Sequence, residues 1–230
     1  MPENPLLIFL PGTLCDERVW LPLWRQLQTP YSYVPLQWAD SLEHMLMLTD
    51  DRVQSAPGPV HLVGFSMGGY VAAQYASQHP VDIAGLTLLG YSPKGLDDSE
   101  LQQRRQILDA IAHKRYQGMT LKRARQFVAP ANQQTWCDYV QTMSNDLGPQ
   151  VLKGHIQATT PREDMTLPLR GLDCPAQAIV GEQDTLVPAD TVQQAFDGQC
   201  NWQVHRLVNS GHMLPLEQPE AVAQLLDSLC

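Results

Sequence analysis

The sequence predicts an α/β fold with a parallel sheet, and two observations lead to this prediction. Short apolar runs alternate along the chain with longer stretches of helical periodicity. Most of these runs are too apolar to have a solvent-facing side, which is typical of parallel strands covered by helices on both faces. With 230 residues, the chain is long enough for one large domain, or for one domain that carries an insertion.

Six apolar runs are predicted to be strands, each followed by turn residues or by a helical pattern. In chain order they are Leu6–Leu10, Tyr33–Trp38, Val60–Phe65, Ile83–Leu89, Ala176–Val180 and Trp202–Val208. The helical patterns between and after them are Val19–Leu27, Ser41–Ser55, Met67–Gln78, Thr191–Phe196 and Pro219–Leu229. Pro219 fits the first turn of the last helix, where its missing N–H costs little.

One long stretch, residues 92–172, interrupts this alternation and has no convincing strand. Four helical patterns fill it: Ser99–Tyr116, Thr120–Val128, Asn132–Leu147 and Pro149–Thr159. Gly118, Pro130 and Gly148 lie at the joints between them. We therefore expect an α/β core made of residues 1–91 and 173–230, interrupted by a helical insertion at 92–172.

Composition and charge exclude several classes of protein. Apolar residues make up 43% and charged residues 17%, which excludes intrinsic disorder. The net charge of −9 disfavours nucleic-acid binding. No apolar run approaches a membrane span, and no signal peptide is evident at the start. Five cysteines without CxxC spacing disfavour a disulfide framework or a zinc site, so we expect a cytoplasmic protein.

The insertion is basic although the chain is acidic. It holds 11 Lys and Arg against 8 Asp and Glu, and many of the cations fall within one stretch. Either they form a solvated helix face, or some of them border an apolar pocket and steer an anionic substrate towards it. The cations of this stretch are Arg104, Arg105, Lys114, Arg115, Lys122, Arg123 and Arg125.

A candidate nucleophile follows the third predicted strand. The residues Gly64-Phe65-Ser66-Met67-Gly68 match the pattern G-x-S-x-G between a strand and a helix rich in small residues. That context is the setting of a nucleophile elbow, in which a serine on a strained turn exposes its hydroxyl. Glycines are needed on both sides because Cβ atoms there would collide across the turn. We predict Ser66 as the nucleophile.

A serine nucleophile needs a base, and the base needs an orienting acid. Asp184 and His212 each follow a predicted strand, in the expected chain order after Ser66. Because parallel strands place their sites at their carboxyl ends, we expect Asp184 and His212 to meet beside Ser66. Glu182 is a weaker alternative for the acid. The other histidines are expected in the sheet (His61, His205) or on solvated helices (His44, His79, His113, His155).

Acyl transfer also needs N–H donors for the developing oxyanion. The backbone N–H of Met67, next to the nucleophile, is one expected donor. The second should come from the loop Pro11–Cys15 after the first strand, with Thr13 as first choice and Leu14 as second. Cys15 in this loop could be a reactive thiol, but a cysteine nucleophile would have to occupy the elbow.

Together these motifs resemble the α/β-hydrolase family, and most closely its short bacterial esterase- and lactonase-like members. The resemblance covers the whole chain and rests on residues 10–12, 64–69, 181–188, 211–212 and 217–220. It implies six parallel strands in the order 2-1-3-4-5-6, and it implies that 92–172 is a helical cap over the serine. The family usually has His-Gly where this chain has Pro11-Gly12.

The resemblance and the motifs lead to an expected function. We expect a serine hydrolase that cleaves a carboxylic ester, lactone or thioester of a small-molecule acyl substrate, and an anionic one if the basic stretch borders the pocket. We expect no cofactor, no metal and no nucleic-acid or membrane partner. The alternatives are a C–C bond hydrolase or lyase with the same triad, and a binding module that retains the fold.

Overall fold

A computed structural model describes residues 5–228 and contains one six-stranded sheet in the order β2-β1-β3-β4-β5-β6. Every neighbouring pair of strands is parallel. The strands are β1 (Leu6–Leu10), β2 (Tyr31–Tyr33), β3 (Val60–Phe65), β4 (Gly85–Leu89), β5 (Ala176–Gly181) and β6 (Trp202–Leu207). The predicted fold class and strand order are therefore confirmed.

Helices cover both faces of the sheet and connect its strands. They are α1 (Leu21–Trp24), α2 (Leu42–Gln54), α3 (Met67–Gln78), α4 (Asp98–Ala112), α5 (Leu121–Ala124), α6 (Gln133–Ala158), α7 (Thr166–Arg170), α8 (Ala189–Phe196), α9 (Leu214–Glu217) and α10 (Pro219–Asp227). One apolar cluster joins the sheet to α2, α3, α7 and α8, and a second joins its other face to α1, α9 and α10. Successive strand residues point alternately into these two clusters. Both faces of the sheet are therefore buried, which explains why the strand sequences are continuously apolar.

Near the amino terminus, two predicted boundaries are wrong. The second strand is Tyr31–Tyr33, and the predicted run Tyr33–Trp38 ends in a short 3₁₀ helix, Leu36–Trp38. Val34 and Leu36 are buried in this connection although Trp38 is 73% exposed, and Pro35 has no N–H to donate to a ladder. The predicted helix Val19–Leu27 is shorter in the structure, because Pro22 lies in the first turn of α1 and the helix ends at Trp24.

The segment 92–172 lies entirely within the described residues, and its elements are helices α4 to α7 with one 3₁₀ turn at Pro130–Asn132. The two predicted helices on either side of Gly148 are confirmed: α6 is made of two helical parts that meet at a kink, where Gly148 has the non-helical φ of 78° and ψ of −179°. The short helices α7 and α9 were not predicted. The predicted end of the last helix, Leu229, lies outside the described residues, as does Cys230.

The strand order brings three chain segments to one edge of the sheet. Strand β3 lies between β1 and β4, and β5 lies between β4 and β6. Because all strands are parallel, the segments that follow β3, β5 and β6 emerge at the same edge. Ser66, Asp184 and His212 belong to these segments.

Candidate active site

Ser66 occupies a strained turn between β3 and α3. Its φ of 53° and ψ of −112° are unusual for a residue with a side chain, and its N–H donates to the Leu89 carbonyl at 2.9 Å. The flanking glycines make the turn possible. A Cβ on Gly64 would lie 2.5 Å from the Gly68 carbonyl oxygen, and a Cβ on Gly68 would collide with the Leu10 carbonyl oxygen. The turn therefore fixes where the hydroxyl points.

His212 contacts Ser66 and Asp184 at the same time. Its Nε2 lies 3.0 Å from Ser66 Oγ, and its Nδ1 lies 2.7 Å from Asp184 Oδ2. Since an ionised carboxylate only accepts, Nδ1 carries the proton and Nε2 is free to accept the serine hydroxyl proton. The rings of Phe65 and Phe127 lie 5.2 and 6.1 Å from the imidazole ring, so apolar side chains flank the base.

The carboxylate of Asp184 is held in place by backbone donors. Its side chain is fully buried, and Oδ1 accepts the N–H groups of Leu186 at 2.8 Å and Val187 at 3.0 Å. These bonds leave Oδ2 directed at the imidazole. Glu182, the alternative acid, is exposed and takes no part in this contact. The structure therefore brings together Ser66, His212 and Asp184.

Cys15 is near the nucleophile but is poorly suited to reaction. It lines the same cavity as Ser66, and its thiol donates to the Thr13 carbonyl at 3.6 Å. Burial, with a further contribution from the charge of Asp16, raises the pKa of Cys15 to about 12. The reactive form of a cysteine is the thiolate. This thiol is therefore protonated near neutral pH.

Glu217, which the motif analysis gave no role, anchors the loop that carries His212. Its buried carboxylate accepts the N–H groups of Gly211 at 3.0 Å and Met213 at 3.1 Å, on the two sides of the base. It also accepts the Ala129 N–H at 2.8 Å, from the helical segment. The signal for this role was its position five residues after His212, within the motif that carried the family resemblance.

The loop after β1 is fixed by a histidine that we expected to be solvated. His155 on α6 is only 1% exposed, and its Nδ1 accepts the Leu14 N–H at 3.2 Å. Its Nε2 donates to the Leu36 carbonyl at 3.2 Å, so the ring is neutral with both nitrogens bonded. Burial lowers the pKa of His155 to about 4. No sequence motif marks this contact, because its partners are 141 and 119 residues away.

Of the backbone N–H groups expected to bind the oxyanion, one already donates to a protein acceptor among the described residues and two do not. The Leu14 N–H is engaged with His155, whereas that of Thr13 has no protein acceptor within residues 5–228. Met67 is the first residue of α3, so its N–H has no carbonyl one turn earlier in the helix to bind. The described residues therefore have free N–H groups at Met67, directly after Ser66, and at Thr13, in the loop after β1 that lines the same cavity.

A cavity of about 600 Å³ contains Ser66 and His212. The sheet edge supplies Thr13, Leu14 and Phe65, while the helical segment supplies an apolar wall that includes Ile107, Met143, Leu152 and Ile156. Three arginines also line the cavity: Arg104, Arg123 and Arg162. The space is large enough for a small organic substrate of mixed apolar and polar character.

Some cations of the basic stretch lie in solvent, and others lie beside the cavity. Arg105, Lys114, Arg115, Lys122 and Arg125 are exposed and do not line the cavity. Arg123 is exposed as well, but it borders the cavity, where its guanidinium lies 5.0 Å from the centre of the Phe127 ring. Arg104 is the member of this stretch that is half-buried. Most of the stretch is a solvated face.

Residues 5–228 contain neither a cluster of metal ligands nor a membrane-spanning helix. No group of three or more His, Cys, Asp or Glu side chains there is arranged to hold a metal ion. None of the helices in that range is both long and apolar enough to cross a membrane.

A sequence profile described as the alpha/beta hydrolase family matches residues 7–225. The chain belongs to the α/β-hydrolase family. The family resemblance suggested by the motifs is thereby confirmed, and the family contains esterase- and lipase-like relatives of this chain.

Among curated proteins, one relative matches nearly the whole chain. It is the 2-succinyl-6-hydroxy-2,4-cyclohexadiene-1-carboxylate synthase of Enterobacter sp. (strain 638), 30% identical over 98% of this chain and 91% of its own. The monoacylglycerol lipase abhd6-A of Xenopus laevis is 29% identical over 72% of this chain, which spans about half (53%) of the lipase. Among solved structures, a Thermogutta terrifontis esterase superposes with a TM-score of 0.85 at 20% identity, over 99% of this chain and 89% of the esterase, and this likeness shows the fold.

Proposed function

We propose that this protein is a serine hydrolase that cleaves a carboxylic ester, lactone or thioester through an acyl-enzyme on Ser66. The observation that carries the proposal is the unbroken chain of hydrogen bonds from Ser66 Oγ through His212 to Asp184, at a cavity with room for a substrate. A serine, a base within reach and an orienting acid are the parts that nucleophilic acyl transfer requires.

In the first half of the reaction, Ser66 Oγ attacks the substrate carbonyl carbon and its proton moves to His212 Nε2. The π bond of the carbonyl opens and leaves a tetrahedral oxyanion. When the oxyanion collapses, the bond to the leaving group breaks, and His212 returns the proton to the departing oxygen or sulfur. Asp184 holds the imidazole tautomer and stabilises the imidazolium that forms between these two transfers.

In the second half, water replaces the leaving group. His212 takes a proton from the water, whose oxygen attacks the acyl carbon of the ester on Ser66. A second oxyanion forms and collapses, the bond from the acyl carbon to Ser66 Oγ breaks, and His212 protonates the serine. The products are the carboxylic acid and the regenerated enzyme.

We assign the oxyanion donors to the backbone N–H groups of Met67 and Thr13. Met67 directly follows Ser66, Thr13 lines the same cavity as Ser66, and neither N–H is engaged with the protein within the described residues. The Leu14 N–H is the weaker candidate, because it donates to His155. Each such donor contributes about 3 kcal/mol to transition-state stabilisation.

We further propose that residues 92–172 form a cap that shapes the acyl pocket, with residues 1–91 and 173–230 as the core. The support is that residues 92–172 supply more than half of the apolar side chains that line the cavity, many of them on α4 and α6. A small-molecule acyl substrate would lie between this wall and the sheet edge.

The test is the hydrolysis of p-nitrophenyl esters of increasing acyl length, followed by stopped-flow absorbance. The proposal expects a burst of p-nitrophenol equal to the enzyme concentration when deacylation is slow, followed by steady turnover. Ser66→Ala should remove both phases. Neither turnover nor burst with any ester, lactone or thioester would contradict the proposal, and would favour a binding module.

A second candidate uses the same triad for C–C bond hydrolysis or a lyase reaction. The observation that favours it is the synthase relative, which matches 98% of this chain and is named for a compound that bears a carboxylate. The two candidates differ in the covalent step. A burst with esters supports the hydrolase, whereas C–C cleavage or elimination without an acyl-enzyme would support the alternative.

A further inference from the structure

Two arginines line the cavity that contains Ser66 and are half-buried there. Arg104 lies on α4, and Arg162 follows α6 in the chain. We call them the arginine pair. Arginines that leave bulk water normally contact a carboxylate, because the loss of hydration must be offset.

The arginine pair has no such partner within residues 5–228. No carboxylate in that range lies within 4.0 Å of either guanidinium, although four other arginines there form ion pairs. The nearby acid Glu100 is exposed, and its carboxylate already accepts the Asp97 N–H at 3.1 Å in the cap of α4. Glu100 lines the same cavity and its charge acts on both arginines, but neither guanidinium is in ion-pair contact with a carboxylate of the described residues.

Neutral oxygens hold Arg104 in a fixed position. Its Nη1 donates to the carbonyl of Thr159 at 2.9 Å, to the hydroxyl of Thr159 at 3.0 Å and to the hydroxyl of Thr160 at 2.8 Å. No protein acceptor among the described residues binds its other nitrogens. The guanidinium is thus oriented on one side and open on the other.

Within residues 5–228, the Arg162 side chain is packed but donates no hydrogen bond. Its guanidinium lies 5.0 Å from the centre of the Tyr70 ring, a cation–π contact. Its Nε is buried and has no acceptor within residues 5–228. A buried donor without a partner is costly, which makes it a marker of a group that is satisfied only when something else binds.

The pKa shifts of the two arginines also favour a site for an anion. Burial lowers the pKa of Arg162, and burial together with the neighbouring charge of Arg162 lowers the pKa of Arg104 to about 10. Both charged forms are therefore held at a cost, part of which is mutual repulsion. An anion between them would relieve that repulsion and supply the missing acceptors.

We propose that Arg104 and Arg162 form a carboxylate-binding subsite, so that the substrate carries a free carboxylate remote from its scissile carbonyl. The planar guanidinium fork matches the two oxygens of a carboxylate. The apolar wall of the cavity, with Ile107 and Leu152, suits a short hydrocarbon spacer between the two ends. This inference rests on the proposed function, since it names the substrate class of the same cavity.

The test compares two p-nitrophenyl esters that differ only in charge: the mono-ester of adipic acid and its terminal carboxamide. In the wild-type protein, kcat/KM should favour the carboxylate by at least about tenfold, the size expected of a charged hydrogen-bonded contact. Arg162→Met and Arg104→Gln should each reduce this preference by at least about tenfold. Arg105→Gln, an exposed arginine of the same helix, should leave the preference unchanged.

A preference near one in the wild-type protein would overturn the subsite. So would a preference that survives in both variants of the pair. If neither ester is turned over, binding decides the subsite, and the proposed function is judged separately by the wider panel of esters, lactones and thioesters. In calorimetry with Ser66→Ala, adipic acid monoamide should bind more tightly than neutral adipamide, and adding Arg162→Met should remove the difference. Equal binding, or no binding of either compound, would contradict the subsite.

Discussion

The carboxyl edge of the sheet and the helical segment 92–172 contribute to one cavity in different ways. At the sheet edge, backbone contacts fix each reacting group: the Leu89 carbonyl accepts the Ser66 N–H, and two N–H groups hold the Asp184 carboxylate. In the helical segment, side chains of α4, of α6 and of the residues between them form much of the wall, and two of its arginines form no ion pair within residues 5–228.

We infer that the sheet edge determines the rate of the reaction and that the helical segment determines which substrate is preferred. Groups that react must keep their distances to within fractions of an ångström, and backbone at the ends of packed strands provides that rigidity. Groups that recognise a substrate can vary with the side chains that face the cavity. We therefore expect changes at the sheet edge to lower the rate for every substrate, and changes in the helical segment to alter which substrate is preferred.

The two regions are nevertheless joined at the loop that carries His212. The His212 N–H donates to the Phe127 carbonyl at 2.7 Å, and Glu217 accepts N–H groups from both sides of the contact. The helical segment thus helps to position the base as well as to line the cavity.

The largest effect is expected at Asp184. In Asp184→Asn the amide can donate to His212 Nδ1, which would leave the proton on Nε2 and prevent that nitrogen from accepting the Ser66 proton. We expect kcat for a neutral p-nitrophenyl ester to fall by roughly 10³–10⁴. Glu182→Gln, an exposed acid two residues away, is the control and should change kcat little. The reverse pattern would make Glu182 the acid.

A smaller loss of activity is expected from a substitution of Glu217, which contacts both the sheet edge and the helical segment. In Glu217→Gln one carboxylate oxygen becomes an NH₂ group that faces backbone N–H donors of Gly211 and Ala129. We expect the free energy of unfolding to fall by about 2–3 kcal/mol and kcat to fall by about tenfold. Urea titration and steady-state kinetics measure the two quantities, with the exposed Glu220→Gln as control. Unchanged kcat would show that Glu217 does not position the base.

The contact between α6 and the loop after β1 should be visible in the pH dependence of stability. His155 has a pKa of about 4 in the fold, below the 6.5 of a free histidine, so the unfolded chain binds its proton first as the pH falls. Stability from this residue is complete above about pH 6.5 and is lost as the pH falls towards 4. The expected loss of unfolding free energy is about 3 kcal/mol.

Chemical denaturation at several pH values checks this expectation. In His155→Gln the free energy of unfolding should fall less steeply between pH 6.5 and 4 than in the wild-type protein, by up to about one proton. The amide can replace the donor to Leu36 and the acceptor for Leu14. His113→Gln, an exposed histidine of the helical segment, should keep the wild-type slope. Equal slopes in all three proteins would mean that His155 is not held neutral.

The smallest effect concerns selectivity alone. Ile107 lines the cavity, whereas its neighbour Leu108 packs in the same apolar cluster without lining it. Ile107→Ala should lower kcat/KM for an octanoate ester relative to an acetate ester by about fivefold, because buried methylenes lose contact. The matched control Leu108→Ala should keep the wild-type ratio. If both variants shift the ratio equally, α4 affects selectivity through packing and not through contact.

The two regions also differ in how far the sequence predicts them. The strands and the candidate triad could be predicted because apolar runs and the G-x-S-x-G turn report local backbone requirements, and parallel order then brings Ser66, Asp184 and His212 to one edge. The second strand was misplaced because Leu36 is buried in a 3₁₀ turn. Val34 still donates its N–H to the Phe9 carbonyl, but the ladder ends there, before Pro35. Burial alone does not distinguish a strand from a packed loop.

The contacts of the helical segment could not be predicted in the same way. His155 was expected in solvent because its partners, Leu14 and Leu36, are distant in sequence and bind it through backbone atoms, which leave no side-chain signature. Arg162 was not singled out, since it lies outside the dense basic stretch. Long-range packing, and not local pattern, decides which charges face the cavity.

The most direct test of the central claim is covalent labelling of the nucleophile. We would treat the protein with a fluorophosphonate, measure the intact mass and map the adduct by peptide sequencing. The account predicts one adduct per chain, located on Ser66, absent in Ser66→Ala and formed much more slowly in His212→Ala. Stoichiometric labelling of Ser66→Ala, or an adduct that maps to another residue such as Cys15, would contradict the assignment of Ser66 as the nucleophile.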